Sequence, residues 1–212
     1  MSPGFFLVLE GPEGAGKSTL AGAILQELRD RGVDPLSVRE PGGTPAAEHA
    51  RRALLEPGPR LDPRTELLFV AAARAHLVQS VIRPALEAGR FVLSDRFELS
   101  TMAYQGAGRG IAAETVALVN RIATGGLQPD LTLILDIPPD VGRSRQDAAG
   151  KSRDRLEQED GAFHARVADA YRSAAGTGFV HIDGTLPPAE VLVEARRAID
   201  RARPGTFAVA AG

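Results

Sequence analysis

Two rhythms of apolar and polar positions run along this chain. Phe5 to Leu9 is a continuous apolar run, the pattern of a parallel strand buried on both faces. After Ser18 the period changes, and Leu20, Ile24, Leu25 and Leu28 recur at helical spacing up to a stop at Gly32. Leu36 to Arg39 reads as a short strand, followed by the turn-rich "EPGGTP" and a helix over 45–55. The proline-rich "EPGPRLDP" then breaks the chain. A long helix is expected from about 64 to 88, with Pro84 as a kink point. "RFVLSD" (90–95) and "DLTLILDI" (130–137) are strand-like, each with an aspartate at or near its end, and 111–123 between them reads as an amphipathic helix. Residues 139–157 are polar and Arg-rich, without an apolar period. A helix over 156–174, a strand over 178–182 and a helix over 188–202 complete the chain, and the tail "PGTFAVAAG" reads as loose.

Strands alternating with helices predict an α/β fold, a doubly wound parallel sheet of five strands flanked by helices. The 212 residues fit one domain over 1–212 without internal repeat. A net charge of −2 argues against a nucleic-acid or acidic-membrane partner, which calls for basic excess. The absence of cysteine excludes disulfides, thiolate metal sites and cysteine nucleophiles. The apolar run at the N-terminus is too short for a secretory core or a membrane span, so a cytoplasmic location is expected. Of 25 basic residues only Lys17 and Lys151 are lysines. A chain that otherwise uses the planar, bidentate arginine keeps the compact ammonium for a glycine loop.

That loop is "LEGPEGAGKSTL", residues 9–20. Gly11, Gly16, Lys17 and Ser18 satisfy G-x-x-x-x-G-K-[ST] between an expected strand and an expected helix. Glycines let backbone N–H groups turn onto phosphate oxygens, and the helix N-terminus adds partial positive charge. Gly11, Pro12, Glu13, Gly14, Ala15, Gly16, Lys17, Ser18 and Thr19 are therefore the expected nucleotide-phosphate-binding stretch, and the loop alone does not choose between a switch GTPase, an ATP-driven machine and a small-molecule kinase. Lys17 would bridge the terminal phosphates, and Ser18 would offer its hydroxyl to Mg²⁺. No N-K-x-D guanine-reading motif exists in the chain. Glu13 sets a carboxylate inside an anion-binding loop, where it must point toward a hydroxyl or a bound metal.

"SDRFELSTMAYQGAGRG" (94–110), "REPGGT" (39–44) and the glycine loop together resemble the bacterial thymidylate kinases over nearly the whole chain. The resemblance implies an ATP- and Mg²⁺-dependent phosphorylation of dTMP to dTDP, in a homodimer paired through helices. It implies that Arg96 clamps the acceptor phosphate, with Arg51 as a second clamp and Arg52 as its competitor. Asp95 would hold the metal with Ser18, with Asp136 as the rival carboxylate. Tyr104 would pack beneath the deoxyribose, while Ser100, Thr101 and Gln105 meet the pyrimidine.

One position departs from the pattern, which usually has Phe four residues before the arginine of the long helix, here Arg74. Val70 stands at that spacing, about 40° around the helix from Arg74, whereas Phe69 is about 140° away. Val70 is expected to face the base and Phe69 to belong to the core.

The polar stretch 139–157 is expected to be a lid, since phosphoryl transfer needs water excluded and cations on the transferring group. In the resembled family the catalytic arginine comes from the glycine loop or the lid. The loop position after the carboxylate is Gly14, which leaves the lid: Arg153 first, Arg145 second, with Arg143 toward the adenine edge. Thr185 and Leu186, after the last strand, would meet adenine mostly through backbone. His49, His76, His164 and His181 show no metal-ligand spacing and are expected to be structural. A kinase for dUMP, UMP or CMP is the nearest alternative, and a nucleotide-binding regulator a more distant one.

Overall fold

The computed structural model describes residues 4–56, 61–148, 150 and 154–207. Five strands form one parallel sheet: β1 (Phe5–Glu10), β2 (Leu36–Arg39), β3 (Phe91–Asp95), β4 (Leu131–Asp136) and β5 (Phe179–Asp183). Their order is β2-β3-β1-β4-β5, with Leu9 opposite both Asp95 and Leu133. The first strand in sequence is therefore central, and all six of its residues are buried. Alternate side chains serve opposite faces. Phe5, Leu7 and Leu9 pack with α1 (Lys17–Asp30), and Phe6 and Val8 pack beneath Leu77, Val78 and Ile82.

Around the sheet run α2 (Pro45–Leu55), α3 (Pro63–Leu77), α4 (Arg83–Glu87), α5 (Glu98–Thr101), α6 (Ala113–Thr124), α7 (Pro139–Ala148), α8 (Gly161–Arg172) and α9 (Pro188–Ala202). The expected long helix is continuous from α3 to α4 through a π turn at Val78–Ile82. Pro84 has no N–H to return to the carbonyl four residues back, which accounts for a widened turn there. This helix is apolar and long enough to cross a membrane by composition, but half of it is buried inside the protein.

Three expectations need correction. Residues 139–148 are helical rather than irregular, because Pro139 starts α7 and Gly142 lets it lie against the glycine loop. A Cβ on Gly142 would stand 2.5 Å from the Glu13 carbonyl oxygen. The next helix begins at Gly161, not 156, where the Asp160 side chain caps it by accepting from Phe163 N. The tail is held as far as Phe207, which is buried, bonded through its N–H to Asp200 Oδ1 and covered by Arg31.

A buried ion cluster fastens α3 to the chain before α8. Glu66, with no exposed surface, receives Arg109 Nε (2.9 Å) and Nη2 (3.0 Å) and lies 3.1 Å from Arg155 Nη1. Arg109 also meets Glu159 at 2.7 Å. Removing one partner of a buried pair leaves uncompensated charge, at a cost of about 3–5 kcal/mol. Glu66→Ala should therefore lower the urea unfolding free energy by about that amount, and Glu66→Gln by less. A loss below about 1 kcal/mol for the alanine variant would show that water relieves the two arginines.

Candidate active site

The glycine loop leaves the carboxyl end of β1, at the point where the strand order reverses and a crevice opens. Gly11 has φ +135°, and a Cβ there would stand 2.5 Å from the Leu135 carbonyl oxygen of β4. Lys17 folds back on the loop, donating from Nζ to the carbonyls of Gly11 (2.9 Å) and Pro12 (2.8 Å). Burial, reinforced by the positive charge of Arg96, brings its pKa down to about 8 against the pull of Glu13 and Asp95.

Ser18 Oγ donates to Asp95 Oδ2 at 3.3 Å, while Asp95 Oδ1 is buried without a hydrogen-bond partner. A hydroxyl and an unsatisfied carboxylate oxygen form a hard donor set that fits a divalent cation. Among the described residues there is no group of three or more His, Asp or Glu suited to a metal. One hydroxyl and one carboxylate suit a cation such as Mg²⁺, which takes few protein ligands and completes its shell with other oxygens. The rival Asp136 is engaged elsewhere, 2.7 Å from His181 Nδ1 on β5.

Beside the loop lies a second cavity, centred on Arg96 at the end of β3. Arg96 has φ +77°, a left-handed conformation that a bulky residue keeps only when its surroundings enforce it. Its N–H donates to Leu9 O (2.9 Å), and its carbonyl accepts from Ser94 Oγ (2.7 Å). The guanidinium pairs with Glu13 and lies over the Tyr104 ring, 5.2 Å from its centroid. Burial alone would raise the pKa of Glu13; Arg96 first and Lys17 next outweigh it, and the value falls to about 2. Burial also pushes up the Tyr104 hydroxyl.

Arg74 forms the cavity's far wall, 1% exposed, donating to Glu40 Oε2 (2.7 Å), Thr101 Oγ1 (2.8 Å), Asn120 Oδ1 (2.7 Å) and Phe97 O (2.9 Å). Tyr104 and Gln105 stand on a π turn, Met102–Gly108, a deviation frequent at functional sites.

The nine side chains expected at the acceptor—Glu13, Arg51, Val70, Arg74, Arg96, Ser100, Thr101, Tyr104 and Gln105—all line this cavity. Arg51 reaches Pro41 O at 2.8 Å, while Arg52 faces solvent. Phe69 is half-buried and outside both the cavity lining and the core clusters. The expectation that it is core is therefore corrected, since the α3 face that buries Val70 and Arg74 leaves Phe69 half-buried beside it.

On the nucleotide side, Arg145 Nη1 donates to Gly14 O (3.3 Å) and Gly184 O (2.8 Å). Arg143, two residues round α7, is exposed and outside that cleft's lining. Thr185 is also outside it, bonded to Asp183 Oδ1, whereas Gly184 and Leu186 line it. Arg153 and Lys151 lie outside the described residues.

Several residues escaped the sequence reading. Glu40, Asp154, Leu156, Glu157 and His164 also line the acceptor cavity. Glu10 and Tyr171 bond to its walls. Glu10 and Glu40 stand directly beside motifs already singled out, which was a usable signal; Tyr171 carried none. The cavity offers about 90 Å³ against about 1030 Å³ for the nucleotide cleft. Ligand pockets commonly measure about 300–1,000 Å³, so the cavity is smaller than an ordinary ligand site.

A family model described as thymidylate kinase matches residues 9–195. The chain is similar to the thymidylate kinase of Pseudomonas fluorescens, 49% identical over 192 residues, covering 89% of this chain and 91% of that protein. It is also similar to that of Thermomicrobium roseum, 49% identical over 194 residues, covering 90% and 91%. Among solved structures it is similar to the crystal structure of thymidylate kinase from Ehrlichia chaffeensis. That likeness has a TM-score of 0.75 and 29% identity, covering 93% of this chain and 99% of the other.

The Glu13–Arg96 pair carries a pH signature. With a folded pKa of about 2 against an ordinary 4.5, Glu13 contributes stability that is complete above about pH 4.5 and lost as pH falls through about 2. Thermal unfolding between pH 5 and pH 2 should decline more steeply for the wild type than for Glu13→Gln. Parallel declines would remove Glu13 as a source of acid sensitivity.

Proposed function

Since the chain belongs to the thymidylate kinase family, whose activity is the phosphorylation of dTMP to dTDP, we propose that it uses ATP as donor and Mg²⁺ as cofactor. The γ-phosphoryl group passes directly, in line, to a phosphate oxygen of the acceptor. One observation carries this reading: Glu13, Glu40, Arg51 and Arg96 line both the nucleotide cleft and the acceptor cavity. A donor cradled at the glycine loop and an acceptor gripped by Arg96 would meet head to head, so no protein nucleophile is needed.

Lys17 would leave the two loop carbonyls for the terminal phosphates of ATP. Mg²⁺ held at Ser18 and Asp95 would supply positive charge across those phosphates. Arg51 and Arg96 hold the acceptor phosphate, which displaces the Glu13 carboxylate from Arg96 and frees it for a sugar hydroxyl. Arg145, bonded to Gly14 O and Gly184 O, fits the adenine edge better than Arg143 does, which leaves Arg153 as the lid arginine for the transferring group. Val70 on the base side leaves pyrimidine selectivity to Arg74, Thr101 and Gln105.

Pairing as a homodimer is supported by α3 and α6, which pack side by side and carry the exposed apolar residues Leu68 (63%), Leu118 (49%) and Ile122 (72%). Both substrates belong to a soluble nucleotide pool, so the expected compartment is the cytoplasm.

The deciding experiment is ADP release from ATP with dTMP, compared with dUMP, UMP, CMP and no acceptor. dTMP should be preferred. Some dUMP turnover is expected, because rejecting an analogue that lacks one methyl is worth only about 1–3 kcal/mol. Equal rates with UMP or CMP would replace this reading by a broader monophosphate kinase, and ADP release independent of any acceptor would replace it by a nucleotide hydrolase.

Arg153→Ala should lower turnover at least about a hundredfold, since supplied arginines are worth about 10³–10⁵ in rate, with nucleotide affinity changed only a few-fold. Near-normal turnover would remove Arg153 as the arginine that serves the transferring group.

A further inference from the structure

The Arg96 guanidinium has two edges with different surroundings. Nη2 faces the acceptor cavity, where it meets Glu13 and, at 3.3 Å, the Tyr104 hydroxyl. Nη1 turns into the protein, toward Tyr171 OH (2.8 Å), Ser100 Oγ (3.0 Å) and Gly11 O (3.2 Å). Tyr171, on α8, is 75 residues from Arg96 and has no exposed surface. Its hydroxyl is held in turn by Glu10, a carboxylate with no exposed surface at the end of β1.

We propose that Tyr171, anchored by Glu10, is a positioning residue that fixes Arg96 for the acceptor phosphate. This rests on the reading that Arg96 holds that phosphate. Glu10 Oε1 accepts from the backbone N–H groups of Phe97 (2.8 Å) and Ser100 (3.1 Å), and Oε2 accepts from Ser100 Oγ (2.7 Å) and Tyr171 OH (3.2 Å). The carboxylate is thus held by four donors from two segments and cannot rotate. With its proton given to Glu10, the Tyr171 oxygen presents a lone pair to Nη1. Ser100 and Tyr171 lie 2.8 Å apart, so the two hydroxyl acceptors for Nη1 are set by the same carboxylate, and the Gly11 carbonyl is the third acceptor. With Nη1 fixed in this way, the planar guanidinium has only one orientation for Nη2, which is the edge an incoming phosphate would take from Glu13.

The test compares wild type, Tyr171→Phe and Glu10→Gln in the full chain. Calorimetric titration is run with dTMP and with thymidine, the same nucleoside without its phosphate, alongside steady-state KM for ATP and thermal unfolding. Tyr171→Phe keeps the ring and its edge contact with Tyr104 and removes only the hydroxyl. It should weaken dTMP about tenfold, the scale of one hydrogen bond to a charged group, while thymidine affinity and KM for ATP stay within about twofold. Glu10→Gln should weaken dTMP in the same selective way. Equal weakening of dTMP and thymidine would show loss of packing and overturn the positioning role, as would unchanged dTMP affinity in both variants. If the wild type itself binds thymidine as tightly as dTMP, the assignment of Arg96 to the phosphate fails first, and the positioning role falls with it.

Discussion

A guanidinium must stay charged at Arg96 in a place with little water, and much of the site is arranged around that requirement. Burial of a cation is costly unless it is paired and hydrogen-bonded. Glu13 pairs with it from the glycine loop, Glu10 supplies negative charge from beneath through Tyr171 and Ser100, and the Tyr104 ring covers one face. The same partners fix where the charge points. A cation held in this way is organised for an anion before the anion arrives, which is how electrostatic stabilisation avoids reorganisation at the moment of reaction.

The central strand makes this possible. β1 ends in Glu10 and Gly11 follows it, so the buried carboxylate beneath Arg96 and the first glycine of the phosphate loop are consecutive residues. β3 runs parallel beside it and ends in Asp95, with Arg96 next, at the same level of the sheet. Donor and acceptor machinery thus share one edge because two neighbouring strands end together. Gly142 then brings α7 against the loop, and α8 returns Tyr171 beneath the clamp.

Arginine serves structure as well as chemistry here. Arg74 spends four bonds on Glu40, Thr101, Asn120 and Phe97 and forms a wall of the acceptor cavity as a result. Arg109 and Arg155 converge on the buried Glu66 and tie the segment before α8 to α3. A planar fork with several fixed donors suits such multi-point contacts, whereas a lysine offers a single flexible point. The lysine at position 17 instead places a compact ammonium on two loop carbonyls, those of Gly11 and Pro12.

Strand and helix periods and the glycine loop were legible from spacing, because each is a local pattern of neighbours along the chain, whereas the acceptor segment was legible only through the family resemblance. The five strands and their parallel direction followed from such patterns; the place of Val70 on the cavity lining followed from the resemblance and helical spacing together. Spacing alone is silent on which of two similar residues enters a cavity. The resemblance named Asp95 and Arg51, and packing sets Asp95 beside Ser18, Arg51 on the cavity lining and Arg145 rather than Arg143 on the lining of the neighbouring cleft. The same holds for Phe69, which the packing of α3 leaves half-buried and outside the core clusters. Glu10 and Tyr171, 161 residues apart, meet only because α8 folds under the end of β1. Local periodicity selects the elements; the approach of distant elements, set by their packing, decides which charges share a site.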